Sequence, residues 1–266
     1  MYRSRIDVTI DNHIARLTLS RPEKHNALDL DMFLAIDEAR KSLAAEPGLR
    51  AVVMSGAGVD VCSGLDVKSM MSNRKAMRKL LWKWLPWRSN LAQAVSTGWR
   101  ELPVPVIAAV HGRCWGGGLQ IALGADFRIL HPEACLSVME GKWGLIPDMG
   151  GTLALRELVP RDQAAWLAMS AEPFDAQRAL DLGLATALSE RPEDTSMEWA
   201  MKLSDRSPDA LAALKKLYRK SWHGSAGAAL ARESLYQVRI LAGKNQRIAV
   251  ERQRGSNTAY RPPRRW

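Results

Sequence analysis

The stretch Val104-Pro-Val-Ile-Ala-Ala-Val110, followed by His111-Gly-Arg-Cys-Trp-Gly-Gly-Gly-Leu-Gln120, decides the fold class of this chain. Its first part is an apolar run of strand length, and the three consecutive glycines then open a helix that continues to Leu123. A further apolar strand follows at Phe127–Leu130. Strand, helix and strand in this order predict an α/β fold, in which helices cover a parallel sheet.

The residues before this stretch extend the same pattern. Apolar and polar residues alternate over 6–10 and again over 15–19, around the turn pair Asp11-Asn12, which predicts a β-hairpin. Helical spacing of apolar residues over 29–43 and a short apolar run at 51–54 predict a helix and a strand. The chain therefore begins as a sheet and continues as alternating strands and helices.

The residues after Pro160 lose the strand pattern and are dominated by helical spacing. We therefore divide the chain into a core at 1–200 and a helical C-terminal region at 201–266. The basic, Pro-containing tail at 260–266 has no apolar periodicity, and we expect it to be mobile.

Composition and charge narrow the classes of partner. The 266 residues are 47% hydrophobic and 25% charged, as in globular proteins, and the formal net charge is +10. Eight cations and no acid lie in 67–100, and seven cations with only Glu251 lie in 244–266. Two basic patches on a mildly acidic body indicate a polyanionic partner. No nucleic-acid-binding module is recognisable, so we expect no nucleic-acid partner.

The sequence also predicts the compartment. No apolar run reaches the roughly 18 to 20 residues of a membrane span, and the N-terminus lacks the apolar stretch of a signal peptide. Three cysteines, Cys62, Cys114 and Cys135, are too few for a disulfide framework. We expect a cytoplasmic protein with reduced thiols and no transmembrane segment. The scattered histidines predict no metal site.

Two glycine-containing loops follow predicted core strands: residues 61–68, Val-Cys-Ser-Gly-Leu-Asp-Val-Lys, and residues 111–120. Free N–H groups at the start of a helix can bind an anion, and two convergent donors form an oxyanion hole. The alternative is that both are tight turns that need small residues for packing. No phosphate-binding, dinucleotide-binding or serine-nucleophile signature is present.

These loops belong to an ordered set of motifs that resembles the crotonase (enoyl-CoA hydratase/isomerase) superfamily over about residues 6–250. The other members of the set are Ser20-Arg-Pro22, Asn26-Ala-Leu28, Gly144-Leu-Ile-Pro147, Gly150-Gly151 and the segment 174–184. The resemblance implies a crotonase-like spiral of ββα repeats in the core. It also implies a helical trimerisation region at the C-terminus, and so a homotrimer or a dimer of trimers.

The resemblance further implies an acyl-CoA thioester substrate. Its carbonyl oxygen would lie between the backbone N–H groups of Leu65 and Gly117, where it accepts the charge of an enolate. No cofactor is implied beyond the coenzyme A moiety of that substrate.

The acidic residues point to one reaction class within the family. Hydratases use two glutamates; the second is present as Glu140, but the first position holds Gln120, whose amide cannot exchange a proton. Asp148 lies where dienoyl-CoA isomerases of the family carry an aspartate, although their third acid coincides with Gln120. We therefore favour an isomerase that shifts a C=C bond of an enoyl- or dienoyl-CoA, with Glu140 and Asp148 as catalytic proton carriers.

Two alternatives stay open. The first is an enoyl-CoA hydratase with Glu140 as the main acid/base and Gln120 orienting water. The second is a catalytically weak CoA-ester-binding protein. Structural roles also remain possible for both acids, because Glu140 could be a solvated loop carboxylate and Asp148 could cap a turn beside Pro147.

Further residues are predicted to bind substrate or CoA. Lys24 and Lys68 are candidates for contact with the CoA phosphates, and Trp82, Trp84 and Trp87 lie in the basic stretch 75–88. These tryptophans could line the acyl pocket, form a subunit interface or contact a membrane surface. The full predicted binding set is Lys24, Ser63, Gly64, Asp66, Lys68, Gly116, Gln120 and Trp143.

Overall fold

Two β-sheets form the frame of the molecule. The structure is a computed structural model that describes residues 1–264, with every side chain except that of Met71. Its strands are β1 (Ile6–Asp11), β2 (Ile14–Leu19), β3 (Ala51–Gly56), β4 (Val106–Val110), β5 (Arg113–Trp115), β6 (Phe127–Leu130), β7 (Cys135–Ser137), β8 (Phe174–Asp175) and β9 (Ala187–Leu188).

Helices surround these sheets and form the C-terminal region. They are α1 (Leu30–Ala45), α2 (Val67–Met71), α3 (Arg74–Leu81), α4 (Leu91–Thr97), α5 (Gly117–Leu123), α6 (Gly151–Leu158), α7 (Arg161–Ser170), α8 (Ala176–Asp181), α9 (Pro192–Ser204), α10 (Pro208–Ser221), α11 (Ala226–Leu241) and α12 (Lys244–Gln253). Short 3-10 helices lie at Pro22–Lys24, Gly98–Glu101 and Met139–Trp143.

The first sheet has the strand order β1-β2-β3-β4-β6-β9. Only the β1–β2 hairpin is antiparallel, and every later pair is parallel. All five residues of β4 are buried, because helices cover both faces: Val106 faces the main core that includes α1, while Ile107 packs in the cluster beside α9. The predicted hairpin, the parallel sheet and the α/β class are confirmed.

The second sheet has the strand order β5-β7-β8, in which β5 and β7 are parallel and β7 and β8 are antiparallel. Single bridges extend it: Cys62 pairs with Cys114, and Leu28 pairs with Leu65. The chain thus places a strand or bridge in each sheet before it enters a helix, as in the predicted ββα spiral. Strands β8 and β9 have two residues each and lie in the part predicted to be helical.

The C-terminal region is helical, as predicted. Up to residue 264, its tail is held against the helices by hydrogen bonds. Backbone N–H groups of Arg261 and Arg264 donate to Asn245 Oδ1 at 2.9 Å and to the buried Asp209 Oδ1 at 2.7 Å. The expectation of a mobile tail is therefore wrong up to residue 264, and residues 265–266 lie outside the described part. The predicted boundary at residue 200 falls within α9, and the division itself stays a prediction.

No helix among the described residues is both long and apolar enough to cross a lipid bilayer.

Asn26 is a fully buried polar residue that joins two loops. Its amide nitrogen donates to the carbonyls of Ala57 and Asp60 at 2.9 and 2.8 Å, and its Oδ1 accepts from the N–H of Arg21 at 2.8 Å. Its φ of +54° lies in the left-handed region, which asparagine tolerates better than most residues. The side chain therefore holds the loop at 57–61 against the loop that begins at Arg21.

We predict that Asn26→Ala lowers the free energy of unfolding by about 2 to 4 kcal/mol, because buried backbone groups lose their partners. The matched control is Asn12→Ala, which removes an exposed asparagine with the same sign of φ (+48°). Urea denaturation followed by circular dichroism measures both. Equal losses in the two variants would contradict the role of the buried hydrogen bonds.

Candidate active site

Glycine is required where the two predicted loops turn. Gly64 has a φ of +94° and Gly116 a φ of +50°, both in the region that favours glycine. A Cβ at Gly117 would lie 2.8 Å from the sulfur of Met149, and one at Gly118 would lie 2.6 Å from the Cβ of Cys62. The interpretation of these loops as tightly packed turns is therefore correct, and it does not prevent their N–H groups from acting as donors.

Backbone hydrogen bonds join the first loop to strand β5. Cys62 donates to the carbonyl of Arg113 and accepts from the N–H of Trp115, both at 3.0 Å. Just beyond this bridge the loops are so close that a Cβ on Gly64 would lie 3.0 Å from the carbonyl oxygen of Trp115. The start of α5 and the loop before α2 thus face each other across a short distance.

Two N–H groups at this junction have no hydrogen-bond partner among the described residues. The N–H of Leu28 donates to the carbonyl of Gly64 at 2.8 Å, and the N–H of Asp66 donates to the carbonyl of Leu28 at 3.0 Å. Leu65, between them, donates to no oxygen in the part of the chain that the structure describes, and neither does Gly117 at the first position of α5. These are the two predicted oxyanion donors, and their role in binding a thioester stays a prediction.

Glu140 lies beside these donors. A Cβ on Gly116 would come within 3.3 Å of Glu140 Oε1, and Gln120 Nε2 donates to the same oxygen at 2.6 Å. The other oxygen, Oε2, is buried and has no hydrogen-bond partner among the described residues. A buried carboxylate oxygen without a partner is costly, so this atom marks a place where a ligand or a proton would be bound.

Gln120 connects Glu140 to the following loop. This residue is buried, and its Oε1 accepts hydrogen bonds from the N–H groups of Met149 at 2.9 Å and Gly151 at 3.0 Å. Both lone pairs of the amide oxygen are therefore used, and the amide orientation is determined by these bonds. Because no acceptor is free, Gln120 cannot hold water through its oxygen in this arrangement.

The two predicted acids have altered affinities for protons. Burial raises the pKa of Glu140; the hydrogen bond from Gln120 opposes that shift, and the charge of Asp148 adds to it. Asp148 is exposed as a residue, yet nearby protein displaces enough water from its carboxyl group to raise its pKa as well. Two carboxyl groups that hold protons more tightly than usual are suited to proton transfer near neutral pH.

The structure brings only part of the predicted binding set to this junction. Gly64, Gly116 and Gln120 lie in it, and Ser63 immediately precedes it. The carboxylate of Asp66 is engaged elsewhere, where it pairs with Arg21 at 2.9 Å and caps α2. Lys24, Lys68 and Trp143 are exposed, so their side chains are free to meet a ligand at the surface.

An ion-pair cluster next to the site was not predicted from the sequence. Asp60 is buried and accepts from Arg113 Nη2 at 2.7 Å, and its other close neighbour is His25 Nδ1 at 2.8 Å. Asp60 and Arg113 thus tie the loop at 57–61 to β5. The only sequence signal was their place next to the two glycine loops. Among the described residues, no three His, Cys, Asp or Glu side chains cluster as metal ligands do.

The chain matches known proteins over most of its length. The family model described as enoyl-CoA hydratase/isomerase matches residues 9–251. The chain belongs to this family. The resemblance drawn from the sequence motifs is thereby confirmed.

Relatives and solved structures agree with this assignment. A carnitinyl-CoA dehydratase of Salmonella enteritidis PT4 is 32% identical over 217 residues, which is 80% of each chain. An enoyl-CoA hydratase structure from Polaromonas sp. JS666 has a TM-score of 0.85 at 30% identity and covers 97% of this chain and 99% of that one. A candidate enoyl-CoA hydratase of Thermobifida fusca YX, solved in complex with CoA, has a TM-score of 0.77 at 28% identity, with 90% and 94% covered.

Two substitutions should move the pKa of Glu140 in opposite directions. Gln120→Met removes the hydrogen bond that lowers this pKa, so the pKa should rise further; Asp148→Asn removes a negative charge that raises it, so the pKa should fall. The ¹³C chemical shift of the Glu140 carboxyl, followed through a pH titration, measures both. Shifts of the same sign in the two variants would contradict this description of the site.

Proposed function

We propose that the protein catalyses proton transfer at an acyl-CoA thioester and shifts a C=C bond of an enoyl- or dienoyl-CoA. One observation carries the proposal: among the described residues, the N–H groups of Leu65 and Gly117 and the buried Oε2 of Glu140 have no hydrogen-bond partner, and Glu140 packs against Gly116, the neighbour of Gly117. A thioester oxygen needs the donors, and a carbon acid beside that thioester needs the carboxylate.

The proposed reaction begins with the thioester oxygen accepting both N–H groups. One carboxylate, Glu140, removes a proton from C2 of a 3-enoyl thioester, and the electron pair moves into a dienolate whose negative charge lies largely on the bound oxygen. A protonated Asp148 then returns a proton at C4, which places the double bond between C2 and C3. Each donor N–H stabilises the enolate by about 3 kcal/mol. After product release, Glu140 gives up its proton and the exposed Asp148 takes one up from water, which resets the pair.

The raised pKa values support proton transfer by this pair of acids. A protonated acid and an ionised base must coexist, and carboxyl groups of ordinary pKa would both be ionised at neutral pH. Burial moves the pKa of Glu140 and that of Asp148 upward, toward the range in which both forms occur. When Glu140 holds a proton, that proton belongs on Oε2, because Oε1 already accepts from Gln120.

Hydration of a 2-enoyl-CoA, or the reverse dehydration, is the second candidate. The names of the relatives favour it, since those at 30% and 32% identity are an enoyl-CoA hydratase and a carnitinyl-CoA dehydratase. Glu140 would then be the main acid/base. Asp148 would orient the water, because the side-chain oxygen of Gln120 already accepts two hydrogen bonds.

We also propose that the substrate's CoA moiety binds at the surface beside the first loop. Lys24 and Lys68 are exposed cations near that loop, and the relative from Thermobifida fusca was solved with CoA. The reaction as proposed uses no cofactor beyond this CoA, and the expected cytoplasmic location stays a prediction.

The test is to incubate the purified protein separately with a 2-enoyl-, a 3-enoyl- and a 3,5-dienoyl-CoA. Movement of the double bond, without a change in mass, should appear by ultraviolet absorbance with one of the latter two. Competent addition of water to the 2-enoyl ester, seen by mass spectrometry, would establish the hydratase instead. Binding of all three esters without turnover would leave only a CoA-ester-binding protein.

Asp148→Asn separates the two candidate reactions further. It should reduce isomerisation by about 100-fold or more, because a positioned acid/base contributes this much, while CoA-ester binding is retained. The control is Asp162→Asn, which removes an exposed carboxylate on α7. Unchanged turnover in Asp148→Asn would show that Asp148 is structural.

The helical C-terminal region supports a further proposal, assembly into trimers. Leu235 and Val238 on α11, and Tyr218 and Trp222 on α10, are large apolar residues left exposed in the single chain. A cavity of about 440 Å³ beside α10, lined by apolar residues such as Leu214 and by charged residues such as Asp126 and Glu157, could receive side chains of another copy.

Sedimentation equilibrium should therefore give the mass of three chains or of six. Replacing both Leu235 and Val238 by aspartate should produce smaller species, because a buried apolar contact would then carry charge. The control Ile10→Asp changes an exposed apolar residue of the hairpin and should leave the mass unchanged. A monomeric wild-type protein would contradict the proposal.

A further inference from the structure

The segment 74–88 combines exposed tryptophans with exposed cations. Trp82, Trp84 and Trp87 are 65%, 84% and 80% exposed, although tryptophan is usually largely buried. The same segment carries six cations and no acid: Arg74, Lys75, Arg78, Lys79, Lys83 and Arg88. We refer to residues 74–88 as the cationic tryptophan segment.

Helix α3 holds this segment in one orientation. Ala76 and Leu80, one turn apart, are buried in the main core, and the side chain of Asn73 caps the helix by accepting from the N–H of Ala76. The solvent-exposed side of α3 is mainly cationic and includes one apolar residue, Leu81. Trp82 is the C-cap residue of α3, and its side chain is exposed.

The cations of the segment are not used to stabilise the fold. Within residues 1–264, none of the six forms an ion pair, whereas Arg100, the next cation along the chain, pairs with Glu157. Lys83 donates only to the carbonyl of Pro86, at 3.3 Å. Six positive charges without ion pairs among the described residues, beside three exposed indole rings, therefore form a surface that matches an anionic partner with an apolar interior.

We propose that the cationic tryptophan segment docks the protein on an anionic lipid surface. Indole rings prefer the boundary between headgroups and acyl chains, and each lysine or arginine near the surface adds attraction to anionic lipids. A pocket wall would enclose the rings, but Trp84 and Trp87 retain at least four-fifths of their exposure. A nucleic-acid duplex would satisfy the charges, but its bases are stacked inside and would offer no apolar medium to the three indoles.

The position of the segment connects membrane docking with catalysis. This connection rests on the proposed function. Helix α2 begins two residues after Leu65, and α3 follows α2 closely, so the docked surface adjoins the candidate active site. An acyl-CoA with a long chain has an apolar tail and a polyanionic headgroup, and it therefore collects at the same interface. Docking would place the site where such a substrate is concentrated.

The experiment is co-sedimentation of the full chain with lipid vesicles, without any CoA ester, so its outcome is independent of the proposed function. Vesicles of phosphatidylcholine alone are compared with vesicles of equal parts phosphatidylcholine and phosphatidylglycerol. We expect binding to the anionic vesicles only, and weaker binding as salt concentration rises. Equal binding to both vesicle types, or none to either, overturns the proposal.

Charge variants distinguish the segment from the net charge of the protein. Lys75→Gln/Arg78→Gln/Lys79→Gln should weaken binding to anionic vesicles at least about tenfold. The control Lys202→Gln/Lys244→Gln/Arg247→Gln removes the same number of charges from exposed positions elsewhere and should bind as the wild type does. Equal weakening in both variants overturns the proposal, because the attraction would then depend on net charge alone.

A tryptophan variant tests the apolar part and the rival partners. Trp82→Ser/Trp84→Ser/Trp87→Ser should also weaken vesicle binding at least about tenfold, with unchanged circular dichroism and an unchanged assembly mass. A changed assembly mass would identify a subunit interface and overturn the proposal. Tighter binding of a random DNA duplex than of anionic vesicles would overturn it in favour of a nucleic acid.

Discussion

The backbone pairing of Cys62 with strand β5 is the constraint on which the candidate site depends. Two hydrogen bonds of 3.0 Å hold the first loop against the chain just before the three glycines. The contact is possible because Gly118 has no side chain where the Cβ of Cys62 lies. Burial raises the pKa of the Cys62 thiol to about 12, so this cysteine acts as a packing residue. Both N–H donors are positioned by this one junction.

The elements with strong local patterns could be predicted from sequence, and those that depend on distant partners could not. The hairpin, β4 and the start of α5 follow from alternation, a continuous apolar run and consecutive glycines. Strands β8 and β9 have only two residues each, too few for a periodic signal. The tail looked mobile because its partner Asp209 lies 55 residues before Arg264.

The same distinction applies within the site. The glycine loops are local features of the sequence, whereas the choice of Leu65 and Gly117 as donors came from the resemblance to the family's motifs, and their role stays a prediction. The carboxylate of Asp66 appeared available for a ligand, but Arg21, 45 residues earlier, occupies it. Likewise, nothing near Gln120 in the sequence indicates that its amide oxygen accepts from Met149 and Gly151. Hydrogen-bond partners across the fold decide which polar groups remain free.

The two basic patches have different physical origins. Part of the C-terminal patch is structural: Arg264 donates to carbonyls at the end of α11, and Arg252 lies over the ring of Tyr260 at 5.0 Å. The six cations of 74–88 have no ion-pair partners among the described residues. The net charge of +10 thus combines cations that stabilise the fold with cations that form no ion pair among the described residues. Only the second group is informative about binding partners.

An amide at position 120 is what this geometry requires. The side chain must donate to Glu140 Oε1 while its oxygen accepts from two backbone N–H groups. An ionised glutamate could accept those N–H groups but would repel Glu140, and it has no hydrogen to donate. The amide therefore keeps the loop after Asp148 in place without adding a second negative charge beside a carboxylate that burial already destabilises. Under the proposed function, proton transfer therefore falls to Glu140 and to the more exposed Asp148.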